Sequence, residues 1–386
     1  MRSNKKAGMK NSKKYDNLPV LKLEDVQDTP LMLTLYKALS VKRPAGSREE
    51  AMFAAWFATT FGVTLIDEAG NLHFDHRSEG SRTLFTAHSD TVHYKGGQNT
   101  IRNDGRYWRA CGDVLGADDG AGCALIAHML TQGVAGYYII FRGEECGGIG
   151  SKWLAENIPE LLGEFDRAIA FDRADKYDVV THQAGTRCCS DEFAAALSDM
   201  LSMEESGLLF MPSDGGVYTD TAEFTEIIPE CTNISVGYLR QHSNEEEQDI
   251  SFLQALAENL CLVAWEELPT KRDPAEVDSK WASWGRYGVV QPTLSKRFSK
   301  EVEEVDEKLF IGLEEKALLS ALTKAMTEDN LIELLVQVRA LLGDGDNVYR
   351  IQALTDDFLE DCIAALLNGF TAYDVAQDLR EMMVNG

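Results

Sequence analysis

The chain has 386 residues, of which 44% are hydrophobic and 26% charged, a composition typical of globular proteins. Its net charge of -26 argues against a protein that binds nucleic acid or anionic membranes, because both need clustered Lys and Arg. No run approaches the roughly 18 apolar residues of a membrane span. The basic start lacks the apolar core of a secretory signal, and the eight cysteines form no C-x-x-C pair, so we expect a cytoplasmic protein.

Composition shifts divide the chain into four regions. Residues 1–28 are polar and predict a disordered tail, and residues 29–267 carry the patterns of a catalytic domain. Prolines and charged runs over 268–311 predict a linker or irregular arm. Leucines at helical spacing over 312–386 predict a small C-terminal all-α domain. Its acidic face is either solvated or docks a partner.

The catalytic region begins with helical and hairpin patterns. A helix is predicted from Pro30, and Ser47-Arg48-Glu49-Glu50 is a capping box that predicts a second. A turn over 68–71 separates two short apolar runs and predicts a hairpin. Beyond it, strands are predicted at 83–87, 107–110, 137–141, 168–171 and 233–238, and helices at 123–130, 193–201 and 252–264. This alternation predicts an α/β fold with a mixed, mostly parallel sheet flanked by helices.

Polar side chains follow several of these strands at once. His88, Glu144-Glu145, Asp172 and His242 each come just after a predicted strand. Asp118 lies in the glycine-rich stretch 116–122 that opens a helix. Ligands of such sheets bind beyond the carboxyl ends of the strands, so we expect these side chains at one edge.

The residue types predict a site for two metal ions. Two zinc ions about 3.5–4 Å apart need imidazoles, carboxylates and one bridging carboxylate. We expect Asp118 to bridge, because a tight loop can present both of its oxygens. His88 and Asp172 would complete one zinc site, and Glu145 and His242 the other. Mn²⁺ or Co²⁺ could fill the same ligands.

Two further carboxylates have expected catalytic roles. Asp90 lies two residues after His88, on the same side of an extended strand, and would hold the ring N–H of that histidine. Glu144 has no metal in this scheme. It would be the general base for water and later the acid that protonates the leaving amine.

Each residue taken singly also has an ordinary explanation. His88 alone could be a polar residue at a strand end, and His242 a surface histidine. Glu144-Glu145 could be solvated acids at a helix start, and Asp172 a cap or a salt-bridge partner. Their ordered arrangement along one sheet edge is what indicates a metal site.

These motifs resemble the co-catalytic di-zinc exopeptidase clan, which includes tripeptidase T, acetylornithine deacetylase-like amidohydrolases and zinc aminopeptidases. The resemblance covers about residues 31–262 and rests on the stretches Ala87-His88-Ser89-Asp90-Thr91-Val92, Gly116 to Gly122, Gly143-Glu144-Glu145, Phe171-Asp172 and His242. It implies the same ligand roles as above and a cis peptide bond after Asp118. The helical domain is not part of the pattern.

The spacing of the motifs favours the lidless aminopeptidase type within that clan. His88 to Asp118 is too short for an inserted lid domain, so the arginine with which lidded members hold a substrate carboxylate is not expected. We therefore expect a peptide substrate with a free amine. An acidic pocket would suit that amine, and Asp191, Glu192 or Asp220 could contribute to such a pocket. An N-acyl amino acid amidohydrolase, a catalytically silent binding protein and a homo-oligomer remain open.

Other nucleophile patterns are weaker. Cys188-Cys189 with His182 could form a cysteine nucleophile and base, but a buried cysteine pair is the commoner case. His93 could support the site or line its pocket.

Overall fold

The computed structural model describes residues 15, 17–203 and 206–275. The predicted helical domain over 312–386, and the predicted linker beyond residue 275, lie outside the described residues. Helices in the described part are α1 (Pro30–Leu39), α2 (Arg48–Phe61), α3 (Ala117–Gln132), α4 (Ile149–Asn157), α5 (Pro159–Leu162), α6 (Asp191–Leu201) and α7 (Ile250–Leu260). Short 3-10 helices span Leu23–Asp25, Glu144–Cys146, Asp220–Phe224 and Trp265–Glu267.

The strands form one large sheet and smaller ones. They are β1 (Val41–Lys42), β2 (Leu65–Ile66), β3 (Leu72–His76), β4 (Thr83–His88), β5 (Gly97–Gln98), β6 (Ile101–Asn103), β7 (Tyr107–Ala110), β8 (Gly136–Phe141), β9 (Arg167–Arg173), β10 (Asp178–Val180), β11 (His182–Gln183), β12 (Thr186–Arg187), β13 (Met211–Ser213), β14 (Glu230–Ser235), β15 (Tyr238–Leu239) and β16 (Glu247–Asp249). The large sheet has the order β13-β10-β14-β9-β4-β8-β3-β2. Its centre, β14-β9-β4-β8, is parallel, and β3 and β2 are antiparallel, so the fold is α/β with a mainly parallel central sheet, as predicted.

Helices cover both faces of the central strands. All six residues of β4 are buried, and their apolar side chains alternate between two cores. Phe85 packs in the core that includes α1, α3 and α7, whereas Leu84 packs with Leu154 of α4 and Phe224 on the other face. A strand buried on both faces reads as an unbroken apolar run, which is why the sequence pattern located it.

A second, four-stranded antiparallel sheet has the order β15-β16-β7-β6. Strand β7 runs toward the Asp118 segment, and the turn with His242 connects β15 to β16. Because β16 pairs directly with β7, the small sheet brings these two distant segments together.

Part of the predicted disordered tail is folded. Val20 forms a β-bridge with Arg102, the Leu21 N–H bonds to the Ile101 carbonyl at 3.0 Å, and Leu21 is buried. For residues 17–28 the prediction of a disordered tail was therefore wrong. Burial of the apolar Leu21 side chain at the edge of the small sheet stabilises this segment, whereas a wholly polar segment would gain little from burial.

The end of the catalytic region also differs in detail. Helix α7 ends at Leu260 rather than near residue 264. The chain stays packed beyond residue 267, since Arg167 donates to the Leu268 carbonyl at 3.3 Å and Arg272 donates to the Pro229 carbonyl at 2.8 Å. Within the described residues, no helix is both long and apolar enough to cross a membrane.

Candidate metal centre

The candidate residues lie at or beside the ends of strands and at the start of a helix, although His242 follows a strand of the small sheet rather than of the large one. His88 is the last residue of β4, Asp172 is next to last in β9, and Glu144 and Glu145 begin the 3-10 turn after β8. Asp118 is the second residue of α3, and His242 lies in the turn between β15 and β16.

Asp118 faces two histidines with its two oxygens. Its Oδ1 lies 3.2 Å from His88 Nε2, and its Oδ2 lies 3.0 Å from His242 Nε2. Asp172 Oδ1 is 3.6 Å from His88 Nε2, and Glu145 Oε1 is 3.1 Å from His242 Nε2. The structure therefore contains two candidate metal-binding groups, His88-Asp118-Asp172 and Asp118-Glu145-His242, that share Asp118.

The spacing of these atoms fits metal ions. Ligands about 2.0–2.2 Å from a tetrahedral zinc ion lie roughly 3.3 Å from one another. Glu145 Oε1 is buried and accepts no well-aligned hydrogen bond, although His242 Nε2 is only 3.1 Å away. These two atoms are close together but are not aligned as a hydrogen-bond donor and acceptor. Two ligands of a common metal ion would have this arrangement.

The charges of the site lead to the same conclusion. Burial raises the pKa of Glu145 to about 7, and the nearby Asp118 carboxylate adds to the shift. Burial and Asp118 likewise raise the pKa of Asp172. Burial opposes the charge on His242 as well, but the adjacent Asp118 and Glu145 carboxylates raise its pKa to about 11. The cluster thus holds more negative charge than its histidines neutralise, and a divalent cation would supply the missing positive charge.

Glu144 belongs to neither group. Its carboxylate lies 3.9 Å from His88 Nε2. Burial, and the neighbouring Asp172 and Asp220 carboxylates, hold the pKa of Glu144 well above its usual range despite the opposing His88. It is therefore a carboxyl group beside the ligands that binds a proton more readily than a solvated glutamate does.

Asp90 does more than the sequence indicated. One of its oxygens lies 3.4 Å from His88 Nδ1. The same carboxylate accepts the backbone N–H groups of Gly143 at 2.9 Å and of Glu144 and Glu145 at 3.1 Å each. Asp90 consequently connects the end of β4 to the turn that carries both glutamates.

Asp119 is a buried carboxylate that the sequence analysis did not single out. It accepts the backbone N–H of His88 at 3.0 Å and that of Gly122 at 2.8 Å. The peptide bond between Asp118 and Asp119 is cis, as the family resemblance implied. The two adjacent carboxylates have different contacts. Asp118 faces the two histidines, whereas Asp119 accepts the backbone N–H of His88. The only sequence signal was its place in the Asp-Asp pair.

The expected acidic contributors fall into two groups. Asp191 and Glu192 are exposed on α6, where Asp191 pairs with Arg187 at 2.8 Å. Asp220 is buried, and its Oδ1 accepts no hydrogen bond within the described residues. Burial raises the pKa of Asp220 to about 8, with His88 opposing the shift. Of these three residues, Asp220 is the one whose charge acts on the cluster.

The remaining candidates are structural. His93 Nε2 donates a hydrogen bond to the Val114 carbonyl at 2.9 Å, its Nδ1 lies 2.7 Å from the Thr91 hydroxyl, and its ring packs against Gly116. It supports the loop before Asp118. Cys188 and Cys189 are buried, and burial raises the pKa of the Cys189 thiol well above its usual range, which disfavours a thiolate nucleophile.

Comparison with solved structures shows the fold. An aminopeptidase PepT from Bacillus cereus ATCC 10987 superposes with a TM-score of 0.52 at 16% identity, over 62% of this chain and 99% of the other. A tripeptidase from Staphylococcus aureus subsp. aureus Mu50 superposes with a TM-score of 0.52 at 16% identity, over 61% of this chain and 97% of the other. No protein-family model and no curated sequence matches the chain. The protein shares the α/β fold of these two solved structures.

Proposed function

We propose that the protein is a zinc-dependent metallohydrolase that cleaves peptide bonds, an aminopeptidase acting on short peptides. The observation that supports this most is the pair of ligand groups that share Asp118, with Glu144 beside them and outside both. His88 and Asp172 would hold one zinc ion, Glu145 and His242 the other, and Asp118 both. Two such ions would lower the pKa of a water and polarise the scissile carbonyl.

The residues of the chain have separate tasks in this reaction. Glu144 takes a proton from the attacking water and returns it to the nitrogen of the leaving amine. Its raised pKa favours uptake of the proton from water, the first of these two steps. Asp90 keeps His88 and the Glu144-Glu145 turn in fixed relation through its four contacts. A general base must stay within hydrogen-bond reach of the proton it takes, so this positioning serves the chemistry directly.

The charge around the site favours a substrate with a free amine. Two divalent cations would offset the charges of Asp118, Asp172, Glu144 and Glu145. Asp220 is a further buried carboxyl group near the cluster, and a positive charge beside it would favour its ionised form. Between Asp172 and His242, the described chain forms β10, β13 and β14 of the large sheet, α6, a 3-10 helix and the short strands β11, β12 and β15, and these elements do not form a separate lid domain. A protonated amine is therefore better accommodated than a second carboxylate.

The test compares matched substrates on protein loaded with Zn²⁺, Mn²⁺ or Co²⁺. Aminoacyl anilides and dipeptides with a free amine are assayed beside their N-acetylated forms. We expect kcat/KM at least ~10²-fold higher for the free amines, as for a site built around one polar group. Cleavage of acylated substrates alone would identify an amidohydrolase instead, and no cleavage by any loaded form would indicate a binding protein.

A further inference from the structure

Glu246 is a buried carboxylate in the turn after His242, and the proposed reaction does not use it. It is 1% exposed, and within the described residues its carboxylate accepts backbone N–H groups rather than pairing with a lysine or arginine. In sequence it stands within the acidic run 245–247, which indicates only a solvated surface. Burying such a group is costly unless hydrogen bonds replace its water.

Three backbone N–H groups replace that water. Glu246 Oε2 accepts from Leu115 at 2.8 Å and from Gly116 at 2.9 Å, and Oε1 accepts from Asp118 at 3.1 Å. These N–H groups lie at the start of α3, where none has a carbonyl partner within the helix. One side chain thus binds three backbone N–H groups of the loop that carries Asp118, the proposed bridging residue.

The backbone of Glu246 belongs to the turn that carries His242. The Glu246 N–H bonds to the Ser243 carbonyl at 3.1 Å, and the Ser243 hydroxyl bonds to the Arg240 carbonyl at 2.7 Å. This closes a tight turn around His242, whose φ of 58° lies in the left-handed region. His242 Nε2 in turn reaches Asp118 Oδ2 at 3.0 Å.

We propose that Glu246 is a positioning residue that holds the Asp118 loop and the His242 turn in register, and so forms the metal site they share. It acts as Asp90 does on the other side of the site, where one carboxylate also accepts three backbone N–H groups. The metal part of this inference rests on the proposed function. The backbone clamp does not.

The test uses Glu246→Gln, which keeps the size of the side chain. Its amide nitrogen cannot accept a hydrogen bond, so the Leu115 and Gly116 N–H groups or the Asp118 N–H lose their partner. Glu230→Gln is the matched control. Glu230 is also buried and accepts backbone N–H groups of Ser190 at 2.7 Å, Lys271 at 2.6 Å and Arg272 at 3.0 Å, but it begins β14 at the opposite edge of the sheet.

Two readouts are measured on the full chain. In metal-free protein, hydrogen exchange of the peptide that covers 113–118 should accelerate in Glu246→Gln and stay at the wild-type rate in Glu230→Gln. In a Co²⁺ titration, one of the two ions should bind roughly 10–100-fold more weakly in Glu246→Gln only, the usual effect of losing a group that orients ligands. The proposal is overturned if the 113–118 peptide exchanges hydrogen at the same rate in both variants, or if both variants bind Co²⁺ with the same affinity.

Two outcomes need separate treatment. If Glu246→Gln does not fold, hydrogen exchange of the wild-type protein still tests the proposal. Backbone amides of residues 115, 116 and 118 that exchange as fast as exposed amides would rule out the clamp. Should the wild-type protein show no peptidase activity, the proposed function fails, and the exchange readout on metal-free protein continues to test Glu246 independently.

Discussion

Glu144 and Glu145 are neighbours in sequence, but they face different partners. Glu145 lies 3.1 Å from His242 Nε2, whereas Glu144 is 3.9 Å from His88 Nε2 and outside both ligand groups. The 3-10 turn separates them because Gly143 and Gly147 flank it in left-handed conformations, with φ of 73° and 87°. Two adjacent acids can thus serve as ligand and base.

The first prediction concerns Glu144→Gln. The amide cannot take a proton from water, so kcat should fall at least ~10²-fold. Bound metal should stay at the wild-type amount, because Glu144 is in neither ligand group. Steady-state kinetics and metal analysis of the purified variant measure the two effects. Glu156→Gln, an exposed residue on α4, is the matched control and should keep full activity. Unchanged turnover in Glu144→Gln would remove this residue from the mechanism.

At the scale of elements, the first turns of α3 are packed against the end of β9. A Cβ added at Gly122 would lie 2.5 Å from both Asp119 oxygens and 2.5 Å from the Phe171 carbonyl oxygen. Neither neighbour can move freely, since Asp119 holds His88 and Phe171 precedes Asp172. The glycine is required here for close approach.

We therefore predict that Gly122→Ala destabilises the protein by about 1–3 kcal/mol, as overpacking does, and weakens metal binding. Urea unfolding and a metal titration measure these effects. Gly163→Ala is the control, because its added Cβ would be no closer than 3.6 Å to any atom. Wild-type stability and metal affinity in Gly122→Ala would contradict the close packing described above.

The β2–β3 hairpin is connected to the site through its turn. Asp67 accepts hydrogen bonds from the Asn71 N–H at 2.9 Å and the Asn71 amide at 2.7 Å, and its carboxylate lies 3.0 Å from His73 Nε2. Asn71 also bonds to the Gly150 carbonyl at 3.1 Å. Burial alone would raise the pKa of Asp67, but its hydrogen bonds to His73 and Asn71 hold it below the usual range.

This shift fixes the sign of a pH dependence. A carboxylate with a depressed pKa in the folded state stabilises fully above its ordinary pKa of about 3.9, and the stabilisation is lost as pH falls through the folded value. Asp67→Asn should thus cost about 1–3 kcal/mol at pH 7 and less below about pH 4. Urea unfolding of metal-free protein at pH 7 and pH 3 measures the difference, with exposed Asp28→Asn as control. A cost that does not shrink at pH 3 would contradict the assignment.

At the scale of the whole molecule, the candidate ligands come from segments that separate on unfolding. β4, the start of α3, the turn after β8, β9 and the β15–β16 turn each contribute one. Metal ions held by ligands from these separate segments would bind only the folded protein and so stabilise it.

We accordingly predict that metal raises the melting temperature. At an ion concentration about 100 times the Kd the gain is about 2.7 kcal/mol, or about 5–10 °C for a domain of this size. Thermal unfolding with and without a chelator measures it, and re-addition of Zn²⁺ should restore the higher value. The same melting temperature in all three conditions would mean that the site holds no structural metal.

The sequence alone determined the central strands and the types of side chain at their ends. β4 and β8 are apolar runs buried on both faces, a local pattern that needs no knowledge of the fold. The residues placed at their ends, His88 and Glu144-Glu145, follow from the same pattern. The metal roles of these residues stay predictions.

Only the tertiary structure decided what holds those side chains in place. Asp119 and Glu246 clamp backbone from 31 and 128 to 131 positions away in sequence, and local patterns carry no trace of such contacts. The short strand β10, the edge strand β13 and the pairing of Val20 with Arg102 likewise depend on neighbours far along the chain. Periodicity reports which side of its own element a residue occupies, whereas a buried carboxylate is explained only by the distant N–H groups that replace its water.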